Sequence, residues 1–156
     1  LELENMVRRK KVEGVKFKNW VFFLGAIPHE KVWSFLKVSD IFVFPSLSET
    51  QGLSVAEAMA AGLPVVVVGE GGAPEFIDNK ENGLVVSNDP GEFASAVLSV
   101  LENPDLASCL GNNAKEKVSQ LRPEIVYDRM ERFYSQIIRE HALAPKVGAE
   151  VSPARK

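Results

Sequence analysis

Cysteine is almost missing from this chain: its 156 residues contain one, Cys109. A lone thiol cannot close an intramolecular disulfide, so nothing in the composition calls for an oxidising compartment. The segment Ala107-Ser108-Cys109-Leu110-Gly111 has no His beside it, and the expectation for Cys109 is a partly buried structural thiol. Histidine is equally scarce, and His29 and His141 stand too far apart to predict a metal pair. No Gly-x-Ser-x-Gly elbow is present to carry a serine nucleophile. Gly69-Glu70-Gly71-Gly72 opens like a dinucleotide fingerprint, but Pro74 stands where the third glycine belongs, which argues against a nicotinamide cofactor. No apolar run approaches the roughly 18–20 residues that span a bilayer, and Leu1-Glu2-Leu3-Glu4 does not read as a signal peptide. There is no excess of positive charge either. With 18 Lys and Arg against 21 Asp and Glu, the net charge is −3, and nucleic acid is not an expected partner.

What is present is the composition of an ordinary folded domain. Hydrophobic residues make up 46% and charged residues 25%. A chain of this size buries roughly 70% of the surface it would expose unfolded, enough for one core. The first residue is Leu rather than Met, and the expectation is a chain that begins partway through a longer protein. Residues 1–19 form a polar segment with a basic cluster at Arg8-Arg9-Lys10-Lys11, diluted by Glu2, Glu4 and Glu13. A cluster of this kind attracts phosphate or anionic lipid, or is simply solvated.

From residue 20 the text alternates. Trp20-Val21-Phe22-Phe23-Leu24, ended by Gly25, has the form of a strand buried on both faces. Residues 28–37 have helical spacing through Val32, Phe35 and Leu36. Ile41 to Phe44 reads as a second strand, stopped by Pro45, and an alanine-rich helix follows as far as Ala61. Gly62 and Pro64 terminate that helix, and Pro64 to Val68 is a third strand. A glycine-rich turn over 69–73, a short helix from Pro74 to Ile77 and a strand at Gly83–Val86 come next. Helices are predicted over 90–102, 104–120 and 123–140, and the tail 142–156 reads as disordered. In the last helix Val126, Met130, Phe133, Tyr134 and Ile137 fall on one stripe, for which core packing is the ordinary reading.

Strands alternating with helices define an α/β fold, a Rossmann-like parallel sheet with helices on both faces. Ligands in such folds bind outside the carboxyl ends of the strands, so the loops 25–28, 45–52 and 69–74 are the places to look. Glu49 lies in the second of these. Glu57 sits about one turn into the following helix, where side chains lean back toward the N-terminus. Two carboxylates beside a helix N-terminus suit a polyhydroxylated ligand that carries phosphate: the acids accept from hydroxyls and the amides hold the anion. A second reading remains open from spacing alone. Ser54-Val55-Ala56-Glu57 has the pattern of a capping box, in which Glu57 serves only a backbone donor, and Glu49 is a solvated loop acid.

The passage from Pro45-Ser46 through Glu49, seven residues, Glu57 and Ala58-Met59-Ala60-Ala61-Gly62-Leu63-Pro64-Val65 resembles the signature of family 4 glycosyltransferases with the GT-B fold. Val21-Phe22-Phe23-Leu24-Gly25, Gly71-Gly72-Ala73-Pro74-Glu75 and Asn82-Gly83-Leu84-Val85-Val86 resemble flanking pieces of the same family, in the same order. The resemblance covers roughly residues 17–140 and makes 20–141 the C-terminal part of a nucleotide-sugar donor domain. It implies retaining transfer of a hexose from a nucleotide-sugar to an acceptor. Glu49 then takes the catalytic position on the donor sugar's hydroxyls, and Glu57 binds the ribose. The backbone of Thr50, Gln51, Gly52, Leu53 and Ser54 meets sugar or diphosphate oxygens, and Gly25, Ala26 and Ile27 lie against the base. No metal and no other cofactor is implied, and no Asp-x-Asp stands in these loops.

The chain also departs from the family pattern. The upstream acceptor domain, and the Arg and Lys that neutralise the diphosphate, have no counterpart here. The expectation is a chain inactive by itself, or a non-catalytic nucleotide-sugar binding module. Glu49-Thr50-Gln51-Gly52 stands where many members read Glu-Gly-Phe-Gly, and resembles members that glycosylate lipids. A cytoplasmic protein, peripheral to a membrane if the acceptor is a lipid, is the corresponding expectation.

Overall fold

The computed structural model describes residues 11–12, 15–16 and 20–143. The basic cluster at 8–10 and most of the tail predicted as disordered lie outside the described residues. The chain divides into two compact units, residues 1–39 and 40–156.

In the first unit, β1 (Lys11–Val12) and β2 (Val15–Lys16) pair antiparallel, and α1 spans His29–Lys37. Leu36 is buried, and the Lys37 ammonium lies 5.4 Å from the centroid of the Trp33 ring. The predicted strand over 20–24 does not form. These residues are coil, and Trp20 and Phe22 are about three-quarters exposed, at 74% and 77%. The apolar run marks a segment suited to burial, but a strand also needs a neighbour for its backbone groups, and no ladder among the described residues includes it.

The second unit is built on a parallel sheet of β3 (Phe42–Phe44), β4 (Val65–Val68) and β5 (Leu84–Val86), in that order across the sheet. Phe42 pairs with Val65 and Val66 with Leu84. Between β3 and β4 runs α2 (Leu53–Ala61), and between β4 and β5 the predicted short helix is a single 3₁₀ turn, Ala73–Phe76. Then follow α3 (Pro90–Leu101), α4 (Pro104–Ser119) and α5 (Pro123–Leu143).

Sequence explains the ends of these helices. Asp89 and Asn103 cap α3 and α4, accepting from the amides of Glu92 and Leu106, and a proline occupies the first turn of each helix. Gly62 ends α2 at φ 85°, a left-handed cap that glycine adopts without strain.

Of the three strands of this sheet, β4 alone is buried throughout, as expected of the central strand of a parallel sheet. Val66 packs with Val86, Val100 and Leu110 in a cluster completed by residues of α3 and α4, so the pleat turns Val65 and Val67 to the opposite face. β3 and β5 are edge strands and are less covered than their apolar sequences predict; Val43 is exposed. Cys109 is also exposed rather than partly buried, because it falls on the outer side of α4 while Leu110 and Ala114 face the core. The stripe on α5 is largely uncovered: Met130, Phe133 and Tyr134 are exposed, and Val126 and Ile137 are half-buried. Among the described residues no helix is long and apolar enough to cross a membrane.

Candidate functional site

Three loops of the second unit follow the carboxyl ends of its strands, and two of them are packed together. The loop after β3 carries Glu49, Thr50, Gln51 and Gly52; the turn after β4 carries Gly71, Gly72 and Ala73. The amide of Gly72 donates to the carbonyl of Glu49 at 2.6 Å. Gly52 has φ 64° and Gly71 φ 68°, both in the left-handed region. A Cβ on Gly71 would lie 2.5 Å from the Glu49 carbonyl oxygen, one on Gly72 would overlap the carbonyl oxygen of Thr50, and one on Gly52 would lie 2.9 Å from Cα of Ala73. These glycines are required by close backbone approach.

The carboxylate of Glu49 folds back over its own loop. Its Oε1 accepts from the amides of Thr50 at 3.0 Å, Gln51 at 3.1 Å and Gly52 at 3.2 Å. The Gln51 and Gly52 amides hold its pKa below the ordinary carboxylate value; burial opposes them weakly and the Thr50 amide adds to the lowering. Glu49 is therefore an anion fixed at the head of α2, next to the positive end of the helix dipole. All three bonds end on Oε1, and Oε2 has no part in them.

The helix itself starts earlier than a capping box requires. Its N-cap is Gly52, with no side-chain cap, and the first intrahelical bonds run from Val55 and Ala56 to the carbonyl of Gly52. Ser54 thus lies inside the first turn, and the capping-box reading of Ser54 and Glu57 fails because a left-handed glycine already occupies the cap. The amides of Leu53 and Ser54 precede the first intrahelical bonds, as the leading amides of a helix must. Glu57 is half-buried on α2, the fifth residue of the helix. Leu53, Thr50 and Gln51 are exposed.

The arrangement thus gathers Glu49, Thr50, Gln51, Gly52, Leu53 and Ser54 around one helix N-terminus. The Gln51 and Gly52 amides, expected at ligand oxygens, are occupied by Glu49. Gly25 and Ala26 are exposed and Ile27 is half-buried in the other unit, where Gly25 turns the chain at φ 65°. Spacing gave no sign that Glu49 would hold its own loop amides, nor that Gly71 and Gly72 would support that loop. The adjacent glycines at the end of a strand were the available signal for the second. A cavity of about 250 Å³ opens beside these loops, lined by Pro45, Val68, Ser87 and Phe93 among others. Among the described residues no group of three or more His, Cys, Asp or Glu could hold a metal ion.

The helix N-terminus at the carboxyl edge of a parallel α/β sheet is where folds of this kind commonly hold phosphate-bearing ligands. The chain belongs to the family described as Glycosyl transferases group 1, whose profile matches residues 4–117. It is 31% identical over 140 residues to a D-inositol 3-phosphate glycosyltransferase of Corynebacterium kroppenstedtii, a match that covers 89% of this chain and 30% of that protein. Among solved structures it is similar to sucrose-phosphate synthase of Thermosynechococcus elongatus, with TM-score 0.74 and 30% identity over 89% of this chain and 34% of the other. It is also similar to Anabaena HepE in complex with UDP and glucose, with TM-score 0.66 and 25% identity over 77% of this chain and 33% of the other. The chain therefore spans about a third of the length of these three proteins.

Proposed function

We propose that this chain is the donor-binding part of a retaining glycosyltransferase that uses a nucleotide-sugar. The observation that carries the reading is the carboxylate of Glu49, held ionised on three amides at the N-terminus of α2. An oriented anion of this kind accepts hydrogen bonds from sugar hydroxyls. The amides of Leu53 and Ser54 lie at the position where the helix dipole favours phosphate or sugar oxygens. Glu57, further along the same helix, takes the ribose hydroxyls. That Anabaena HepE is solved with UDP and glucose supports this class of ligand.

In the transfer, the bond between the anomeric carbon and the diphosphate oxygen breaks. A bond to the acceptor oxygen forms on the same face, and the acceptor's proton leaves with the nucleoside diphosphate. The departing diphosphate needs positive charge, and residues 45–54 and 69–76 contain no Lys or Arg. Oriented donors and cations at the developing charge commonly supply the largest share of catalysis. This chain by itself is therefore expected to bind donor without transferring sugar, and no metal is assigned a role.

The test is calorimetric titration with UDP, GDP and ADP and their glucose conjugates, on the wild-type chain and on Glu57→Gln. The expected result is binding selective for one base. Losing a hydrogen bond to a charged group is worth about 1.5–3 kcal/mol, so Glu57→Gln should weaken it roughly 10- to 150-fold. Absence of binding by this chain and by a form extended upstream would overturn the proposal, as would wild-type affinity in the Gln variant.

A further inference from the structure

The glycine turn after β4 does more than close a loop. The peptide between Glu49 and Thr50 has its carbonyl tied to the amide of Gly72 at 2.6 Å, and its N–H donates to Glu49 Oε1 at 3.0 Å. Because a peptide is planar, fixing one end of that plane orients the other. The next peptide has its carbonyl, from Thr50, seated on Cα of Gly72, and its N–H, from Gln51, donates to the same carboxylate oxygen. The third amide belongs to Gly52, whose Cα rests against buried Ala73. Each of the three donors that hold Glu49 is thus set by a contact with one of the residues 71–73.

We propose that Gly71 and Gly72 are positioning residues: by admitting the Glu49 and Thr50 carbonyls where a side chain would stand, they set the amide cradle that fixes the Glu49 carboxylate for the donor sugar. The role toward the donor rests on the function proposed above; the coupling between turn and carboxylate does not, and is read without any ligand. Alanine at position 72 must displace the Thr50 carbonyl by about 1 Å, a misplacement that can cost about 100-fold in rate at a reacting centre. Gly83 gives a contrast. It is also crowded, with Val65 Cγ2 2.7 Å from its Cβ position, but it stands just before β5, the opposite end of the strand from these loops.

The test follows the carboxyl carbon of Glu49 by NMR through an acid titration in wild type, Gly72→Ala and Gly83→Ala, with thermal unfolding recorded for each. Both variants should lose stability. Only Gly72→Ala should move the Glu49 midpoint up toward that of a free glutamate and shift the amide resonances of Thr50, Gln51 and Gly52. In the protein extended to include its remaining domains, the same variant should weaken donor binding at least 10-fold. An unmoved Glu49 midpoint in folded Gly72→Ala, or an equal movement in Gly83→Ala, overturns the coupling. If Gly72→Ala does not fold, native-state amide exchange in the wild type decides. Gly72 and residues 50–52 should open with one common free energy, and independent opening overturns the inference. Normal coupling with no donor bound by any form overturns the proposed function and the role toward donor, and leaves the turn as a structural support.

Discussion

Replacing Gly111 by alanine sets two effects of opposite sign against each other. Gly111 is buried in the middle of α4, where glycine ordinarily costs a helix about 1 kcal/mol relative to alanine, so propensity alone predicts stabilisation. The Cβ would, however, overlap the carbonyl oxygen of Gly62, the residue that ends α2. That oxygen cannot easily give way. The Gly62 amide is bonded to Met59 at 2.9 Å, and the next amide, Leu63, is bonded to Ala58 at 3.1 Å. Overfilling a packed contact costs about 1–3 kcal/mol, and a backbone obstacle places this site toward the upper end. The expected net loss is about 1–2 kcal/mol, which for a domain of this size lowers the thermal midpoint by roughly 3–8 °C. Thermal unfolding followed by far-ultraviolet circular dichroism measures it. Gly91→Ala is the internal comparison: its Cβ would meet only Asp89 Oδ1, at 3.1 Å, a side-chain oxygen that need give by only a few tenths of an ångström while it caps α3, so a smaller loss, below about 1 kcal/mol, is expected. A Gly111→Ala midpoint at or above wild type would show that helix propensity wins and that α2 and α4 are not in the close contact described.

Two further outcomes follow from the same contacts. Glu49 has a pKa lowered in the folded state, so its contribution to stability is present above the pKa it has when unfolded and is lost as pH falls through the folded value. The amides of residues 50–52 should stay protected from exchange at neutral pH and lose protection only in acid, with a midpoint below that of a free glutamate; loss of protection near neutrality would contradict the cradle. Asn82, the one buried polar side chain among the described residues, accepts from the amide of Asp78 at 3.0 Å and donates to its carboxylate at 3.3 Å. Asn82→Ala strands that amide and should cost about 1–3 kcal/mol in urea denaturation, whereas a loss under about 0.5 kcal/mol would mean that water replaces the side chain.

Much of the second unit was legible because its signals are local. The valines of 65–68, the proline after Phe44 and the cap residues Asp89 and Asn103 each act within a few positions, and β4, α3 and α4 fall where those residues place them. What failed depended on partners. Residues 20–24 have a strand's composition, but composition does not supply a neighbouring strand. Ser54 and Glu57 have a capping box's spacing, but Gly52, at φ 64°, starts the helix before Ser54 can cap it. In the candidate site, the spacing of Glu49 and Glu57 pointed to this loop and helix. The grip of Glu49 on its own amides, and the support from Gly71 and Gly72 some twenty residues away, depend on the fold of the two loops against each other.

The parallel sheet has a consequence for the path by which the chain folds. Phe42 and its register partner Val65 are 23 positions apart, and Val66 and Leu84 are 18 apart. The length-dependent part of closing flexible loops of those lengths is about 2.8 and 2.6 kcal/mol, so proximity along the chain favours neither pairing over the other. Parallel neighbours cannot be joined by a tight turn, so each pairing waits for the segment between its strands to fold back. The nine residues of α2 shorten the first of those spans, and the four-residue 3₁₀ turn does less for the second. β4 belongs to both pairings. Neither edge strand can join the sheet without it, and the contact between the Glu49 loop and the glycine turn depends on β3 and β4 being paired.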